Sequence, residues 1–257
     1  MKNNLFRKFR ALVEQAFVPI FVSDRYHTGM LLEACALAGV KTIEYTLRRA
    51  DADKVLPTLK KDFPCFNVLV GSTIDDEWIV GQMKNKHPQL LNISELAPFV
   101  DGFVSMLPYS NETLEKYRAT HLLIPTAETS GEALRQMGRG ATAIKVCGPD
   151  LSFSRKLHAA PTFNYCPTFV TGGIDDTRME EAYGAGNILT AAGFDLILRG
   201  EDPLELNSVK VAQCLERYLT AAKSARSTVM PWLRDIEMLS DEDFLRVYPH
   251  YCSVSEV

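Results

Sequence analysis

Eight short runs rich in β-branched and aromatic residues recur between Phe17 and Ala192, and helical stretches alternate with them. Strict alternation of this kind specifies parallel strands, because a parallel pair needs a long crossover and a helix supplies it. Eight such units are the number that closes into a barrel, so a (β/α)8 barrel is the expected fold. An open doubly wound sheet is the competing arrangement. Such sheets grip nucleotides with G-x-G-x-x-G after the first strand or with G-x-x-x-x-G-K-S/T, and the sequence has neither. From Glu201 onward helical segments replace the alternation, through Val209 to Lys223 and a capped segment at Ser240-Asp241-Glu242-Asp243. Residues 1–200 are therefore expected to form the barrel. Residues 201–257 are read as a closing helix and a C-terminal helical extension that covers the barrel or meets a partner subunit.

Composition excludes several classes. Across 257 residues, 46% hydrophobic and 23% charged side chains are ordinary globular values, which argues against disorder. A net charge of -4 gives no footprint for nucleic acid or for a membrane surface. The cluster Arg7-Lys8-Phe9-Arg10 reads as the solvated face of a helix. The six cysteines lack C-x-x-C spacing and histidine partners at zinc-like distances, so they read as reduced, mostly buried thiols. The N-terminus carries no apolar signal core and no run has the length of a membrane span, so the expected location is the cytoplasm.

Chemistry enters with Lys145, set inside the apolar run from Ala141 to Gly148. A lysine in a buried strand needs an outlet to water, a counter-ion or a pocket that uses it. Taken alone, it reads as a strand-end lysine reaching solvent. Desolvated in a pocket, its neutral amine becomes a nucleophile toward a ketone. Other residues decide between these. Glu44, Thr46 and Arg48 make one polar row in the strand from Lys41 to Arg48, opposite Ile43, Tyr45 and Leu47. That row reads either as a water-facing edge or as one wall of a site. Thr73 ends the third strand and Thr171-Gly172-Gly173 follows the seventh. Because barrel sites gather at the carboxyl ends of strands, these groups are expected to converge.

The same segments resemble the class I aldolases that cleave 2-keto-3-deoxy-6-phosphogluconate and 4-hydroxy-2-oxoglutarate. Gly39 to Arg48 is similar to the family's G-V-x-x-x-E-x-T-L-R. Gly71-Ser72-Thr73 is similar to its A-G-T, Pro125 to Glu132 to its P-G-x-x-T-P-S-E, and Thr171 to Ile174 to its T-G-G-I. Val18-Pro19-Ile20 resembles the first strand, and the likeness spans roughly residues 17–200. It implies a lyase that splits a 2-keto-3-deoxy sugar acid, with or without a 6-phosphate, to pyruvate and an aldehyde. By that likeness Lys145 forms the imine, Glu44 moves protons, Arg48 clamps the α-carboxylate and Thr73 hydrogen-bonds beside it. Thr171, Gly172, Gly173 and Gly193 would line the far end of the substrate. An imine is its own electron sink, so no metal or cofactor is implied. A homotrimer binding only a small keto acid, with no nucleic acid or membrane partner, completes the expectation.

The sequence departs from the family where K-F-F-P-A-E becomes Lys145-Val146-Cys147-Gly148-Pro149-Asp150. It departs again where S-P-G becomes Met106-Leu107-Pro108, and where G-G-S after the eighth strand becomes Ala192-Gly193-Phe194. These changes leave two alternatives open: an aldolase of the 4-hydroxy-2-oxoglutarate type on a non-phosphorylated acid, and a non-catalytic barrel that binds a small acid.

Overall fold

The computed structural model describes residues 4–159 and 166–247. Helix α1 (Asn4–Gln15) precedes eight strands. In order these are β1 (Phe17–Phe21), β2 (Thr42–Thr46), β3 (Asn67–Thr73), β4 (Gly102–Ser105), β5 (Leu122–Ile124), β6 (Ile144–Cys147), β7 (Thr168–Thr171) and β8 (Leu189–Gly193). The connecting helices are α2 (Thr28–Leu37), α3 (Ala52–Asp62), α4 (Glu77–Lys84) with the short α5 (Ile93–Leu96), α6 (Asn111–Tyr117), α7 (Ser130–Gly138), α8 (Ser152–Ala159) and α9 (Met179–Gly184). After β8 come α10 (Phe194–Ile197), the long α11 (Ser208–Val229) and α12 (Asp241–Val247).

All pairings are parallel, in the order β5-β4-β3-β2-β1-β8-β7-β6. The remaining seam is closed by a parallel bridge between Thr126 and Lys145, with Lys145 N–H donating to Pro125 O at 2.8 Å and Thr142 N–H to Leu123 O at 2.7 Å. The fold is therefore the (β/α)8 TIM barrel, and the open sheet is excluded. Helix α11 packs on α2 and α9, the place of the eighth barrel helix.

Side chains divide by strand alternation into two layers. Phe17, Phe21, Ile43, Tyr45, Val68, Val70 and Phe103 pack outward against the helices. Val18, Ile20, Leu69, Val104, Leu122, Ala143, Phe169 and Leu189 fill the barrel and continue into Leu5, Phe9 and Leu12 of α1 and Met230, Leu233 and Phe244 of the C-terminal segment. Helix α1 and that segment thus plug the amino end of the barrel, which leaves the carboxyl end for chemistry. The basic cluster of α1 is more than a solvated face. Lys8 pairs with the buried Asp101 at 2.7 Å, and Arg10 pairs with Glu14 at 2.7 Å and Asp241 at 2.6 Å. Burying Phe9 brings its charged neighbours down onto the barrel rim, where they find acidic partners.

Of the cysteines, Cys35, Cys166 and Cys214 are buried free thiols and Cys65 and Cys147 are exposed; Cys252 lies outside the described residues. Among the described residues no helix is long and apolar enough to cross a membrane.

Candidate active site

Lys145 points into the barrel, since its neighbours Ile144 and Val146 pack outward, and it is only 4% exposed. Its Nζ donates to the thioether of Met106 at 3.4 Å. Thioether sulfur is a weak acceptor, so this contact leaves the amine available. Glu44 enters the same space from β2, with Ile43 and Tyr45 on the outer face. It is 1% exposed, and its Oε2 is buried without a hydrogen-bond partner. Burial pushes the Glu44 carboxyl above the ordinary carboxylate range, and the nearby charges of Lys145 and Arg48 only partly offset it. A buried carboxyl with a free oxygen facing an amine is placed to take up and release a proton.

Room for this carboxyl comes from β3. A Cβ on Gly71 would overlap Glu44 Oε1, so the adjacent strand must carry glycine there. The register slips between Gly71 and Thr73, and Ser72 takes φ +62 at this bulge. Thr73 consequently turns inward, donating to Val104 O at 3.1 Å and lying 2.6 Å from the Tyr109 hydroxyl. Tyr109 is itself locked to α7, its N–H donating to Gln136 Oε1 at 3.1 Å while Gln136 Nε2 donates to its carbonyl at 2.8 Å. Thr126, whose hydroxyl donates to Ser105 O at 2.7 Å, completes a polar rim above the apolar barrel filling.

Arg48 stands differently from its expected place. Strand β2 ends at Thr46, so Arg48 lies in the following turn and is exposed, instead of continuing the inward row of Glu44 and Thr46. The buried arginine is the next one. Arg49 donates to Tyr45 Oη, Asp51, Thr28 and the Ser23 carbonyl, tying the turn after β2 to the loop after β1. Arg48 still acts on Glu44 through charge, and among the described residues it has no hydrogen bond or ion pair. A chamber of about 340 Å³ opens beside it, between the turns that follow β2, β3 and β4 and the segment 83–90. Met106 belongs both to this chamber and to the Lys145 contact.

The glycines read as the far end of the substrate have packing reasons of their own. Gly172 and Gly173 take φ +95 and +78, and Cβ atoms on them would come to 3.0 Å from Gly148 N and 3.3 Å from Pro149 Cβ. A Cβ on Gly193 would meet Val22 Cγ1 at 2.8 Å. Phe194 turns away from the rim into the outer core, where its ring meets Phe21 at 5.0 Å. Thr171 ends β7 buried, facing the same end of the barrel.

Lys145, Glu44 and Thr73 are therefore brought together inside the barrel, Arg48 is at its rim, and the glycines form the opposite lip. Gly71, Met106 and Tyr109 also shape the site. Gly71 left a trace in the sequence within the A-G-T likeness and Met106 within a departure from the aldolase pattern, whereas Tyr109 left none.

No family model matches this sequence, and no curated protein does. Solved structures match at the level of fold. A 4-hydroxy-2-oxoglutarate/2-dehydro-3-deoxyphosphogluconate aldolase superposes with a TM-score of 0.62 at 18% identity, over 84% of this chain and 98% of that one. An aldolase from Legionella pneumophila, captured with pyruvate as a covalent carbinolamine, gives 0.58 at 19% over 88% and 99%. A thiamine phosphate pyrophosphorylase from Pyrococcus furiosus gives 0.55 at 15% over 83% and 98%. Such likenesses establish the barrel alone, since one barrel hosts many activities. Function must be argued from the side chains.

Proposed function

We propose that this chain is a class I aldolase that cleaves a 2-keto-3-deoxy acid to pyruvate and an aldehyde through an imine on Lys145. The observation that carries it is the pairing of a buried amine held only by a thioether with a buried carboxyl that has an unpartnered oxygen. Burying an amine and a carboxyl costs stability, which a purely structural role would avoid with apolar residues.

In this reading the Lys145 amine adds to the C2 carbonyl and the carbinolamine loses water to give a protonated imine. Glu44 takes the proton of the C4 hydroxyl as the C3–C4 bond breaks, and that electron pair moves onto the imine nitrogen. The aldehyde leaves, Glu44 returns its proton to C3 of the enamine, and water releases pyruvate. Arg48 holds the α-carboxylate, and the Thr73 hydroxyl joins it by turning its hydrogen from Val104 O to the substrate.

The change of G-G-S after the eighth strand to Ala192-Gly193-Phe194, with Phe194 buried against Phe21, favours a non-phosphorylated acid of the 4-hydroxy-2-oxoglutarate kind over the 6-phosphorylated one, because the serine hydroxyl is replaced by a ring turned into the core. Turnover of 4-hydroxy-2-oxoglutarate and 2-keto-3-deoxy-6-phosphogluconate in parallel tests this. Faster cleavage of the first is expected, and a strong preference for the second would restore a phosphate subsite.

A further inference from the structure

We infer that the chamber beside Arg48 is a binding site for an apolar-tailed monocarboxylate, with the carboxylate on Arg48 and the tail among Leu47, Met83, Leu90 and Leu107. The aldolase reading uses Arg48 for the α-carboxylate but gives no part to the apolar walls beside it, and there the inference goes beyond that reading. Three observations support it. The walls are overwhelmingly apolar, and Met106 and Leu107 stay 49% and 53% exposed at a concave surface instead of collapsing into the core. Exposed apolar side chains that converge on a cavity mark a place a ligand covers. Arg48 is the only Arg, Lys, Asp or Glu on the lining, where it stands with His87, and among the described residues it has no hydrogen-bonding or ion-pair partner. The backbone is also held in an unfavourable state at the chamber wall, where Ser72 has positive φ; such strain gathers at ligand sites.

Charge and polarity select the class. A neutral hydrocarbon would leave the Arg48 guanidinium unmatched. A sugar acid would set most of its hydroxyls against Leu47, Leu90 and Leu107, since Ser72, His87 and Gln89 are the only neutral polar side chains on a mainly apolar wall among the described residues. A phosphate dianion would bring two charges to a single guanidinium, with an apolar wall behind it. A carboxylate with an alkyl or aryl tail satisfies both ends. Met106 joins the chamber to the amine, so an occupied chamber lies against the Lys145 contact, and the occupant competes with pyruvate for Arg48.

Calorimetric titration of the full chain with butanoate, hexanoate, octanoate and octanol tests the site without any reaction at Lys145. Affinity is expected to tighten about fourfold for each buried methylene, and octanoate is expected to bind at least tenfold more tightly than octanol. Arg48→Gln should remove the difference between octanoate and octanol. Leu107→Asn, at an exposed position that folding tolerates, should flatten the chain-length series, as should Leu90→Asn. Affinity independent of chain length, equal binding of octanol, or an unchanged series in Leu107→Asn would each overturn the site. Failure of pyruvate to label Lys145 would overturn the aldolase reading and leave this result standing, and the reverse holds equally.

Discussion

At the scale of single residues, Glu44 is where stability and chemistry pull apart. Its carboxyl is held above the ordinary value of 4.5 in the folded state by burial, with Lys145 and Arg48 opposing. A folded-state value above the unfolded one means the folded protein binds the proton more tightly. Glu44 therefore costs nothing below that ordinary value and destabilises increasingly as pH rises through the folded one. Glu44→Gln is expected to raise the thermal midpoint relative to the parent, by a margin that grows with pH, and to abolish carbon-carbon cleavage. A midpoint difference that is flat in pH would contradict this account of the carboxyl. Tyr109→Phe removes the 2.6 Å contact to Thr73 and should cost about 1 kcal/mol in denaturant unfolding. The same variant should raise the KM for the keto acid more than it lowers kcat. Lys145 and Glu44 were legible in the sequence because charges inside β-branched runs are conspicuous. Tyr109 was not, because a tyrosine after a proline is common, and Gly71 was legible only within the A-G-T likeness; packing shows what each one touches.

At the scale of elements, the turn after β2 separates two adjacent arginines by role. Arg49 is fixed by Tyr45, Asp51 and Thr28, whereas Arg48 projects to the rim. Strand periodicity read from Lys41 to Arg48 put Arg48 on the inward row, and the strand's end at Thr46 is a hydrogen-bonding fact that periodicity does not carry. Burial would raise the Asp51 carboxyl, yet hydrogen bonds from Arg49, Tyr45 and Thr28 outweigh it and hold it at about 2. Its stabilising contribution is present above the ordinary value of 3.8 and fades as pH falls through about 2. Asp51→Asn should consequently lower the thermal midpoint at neutral pH, with the gap to the parent closing in acid below 3.8. Equal gaps at neutral and strongly acid pH would show that the network acts by shape alone. Helix α1 was legible as a helix, but its place beneath the barrel was not, since nothing local links Lys8 to an aspartate in the β4 turn. Phe9→Ala should cost about 3–5 kcal/mol by opening a cavity in that plug, while leaving the pH profile of any Lys145 chemistry unmoved.

At the scale of the molecule, the barrel was legible almost entirely, because eight alternations admit few closures and the parallel register follows from them. The chamber was not legible, since its walls come from turns after three different strands and from the segment 83–90, which no local pattern in the sequence brings together. The homotrimer implied by the aldolase resemblance is a proposal for sedimentation to decide at micromolar concentration, where a monomer would set it aside. The account rests most on the Lys145 amine acting as a nucleophile. Borohydride reduction in the presence of pyruvate, followed by intact mass and peptide mapping, reads that directly. One reduced pyruvyl adduct per chain, located on Lys145 and absent from Lys145→Ala, is the predicted result. Folded protein with no adduct, or with the label on another lysine, would contradict it.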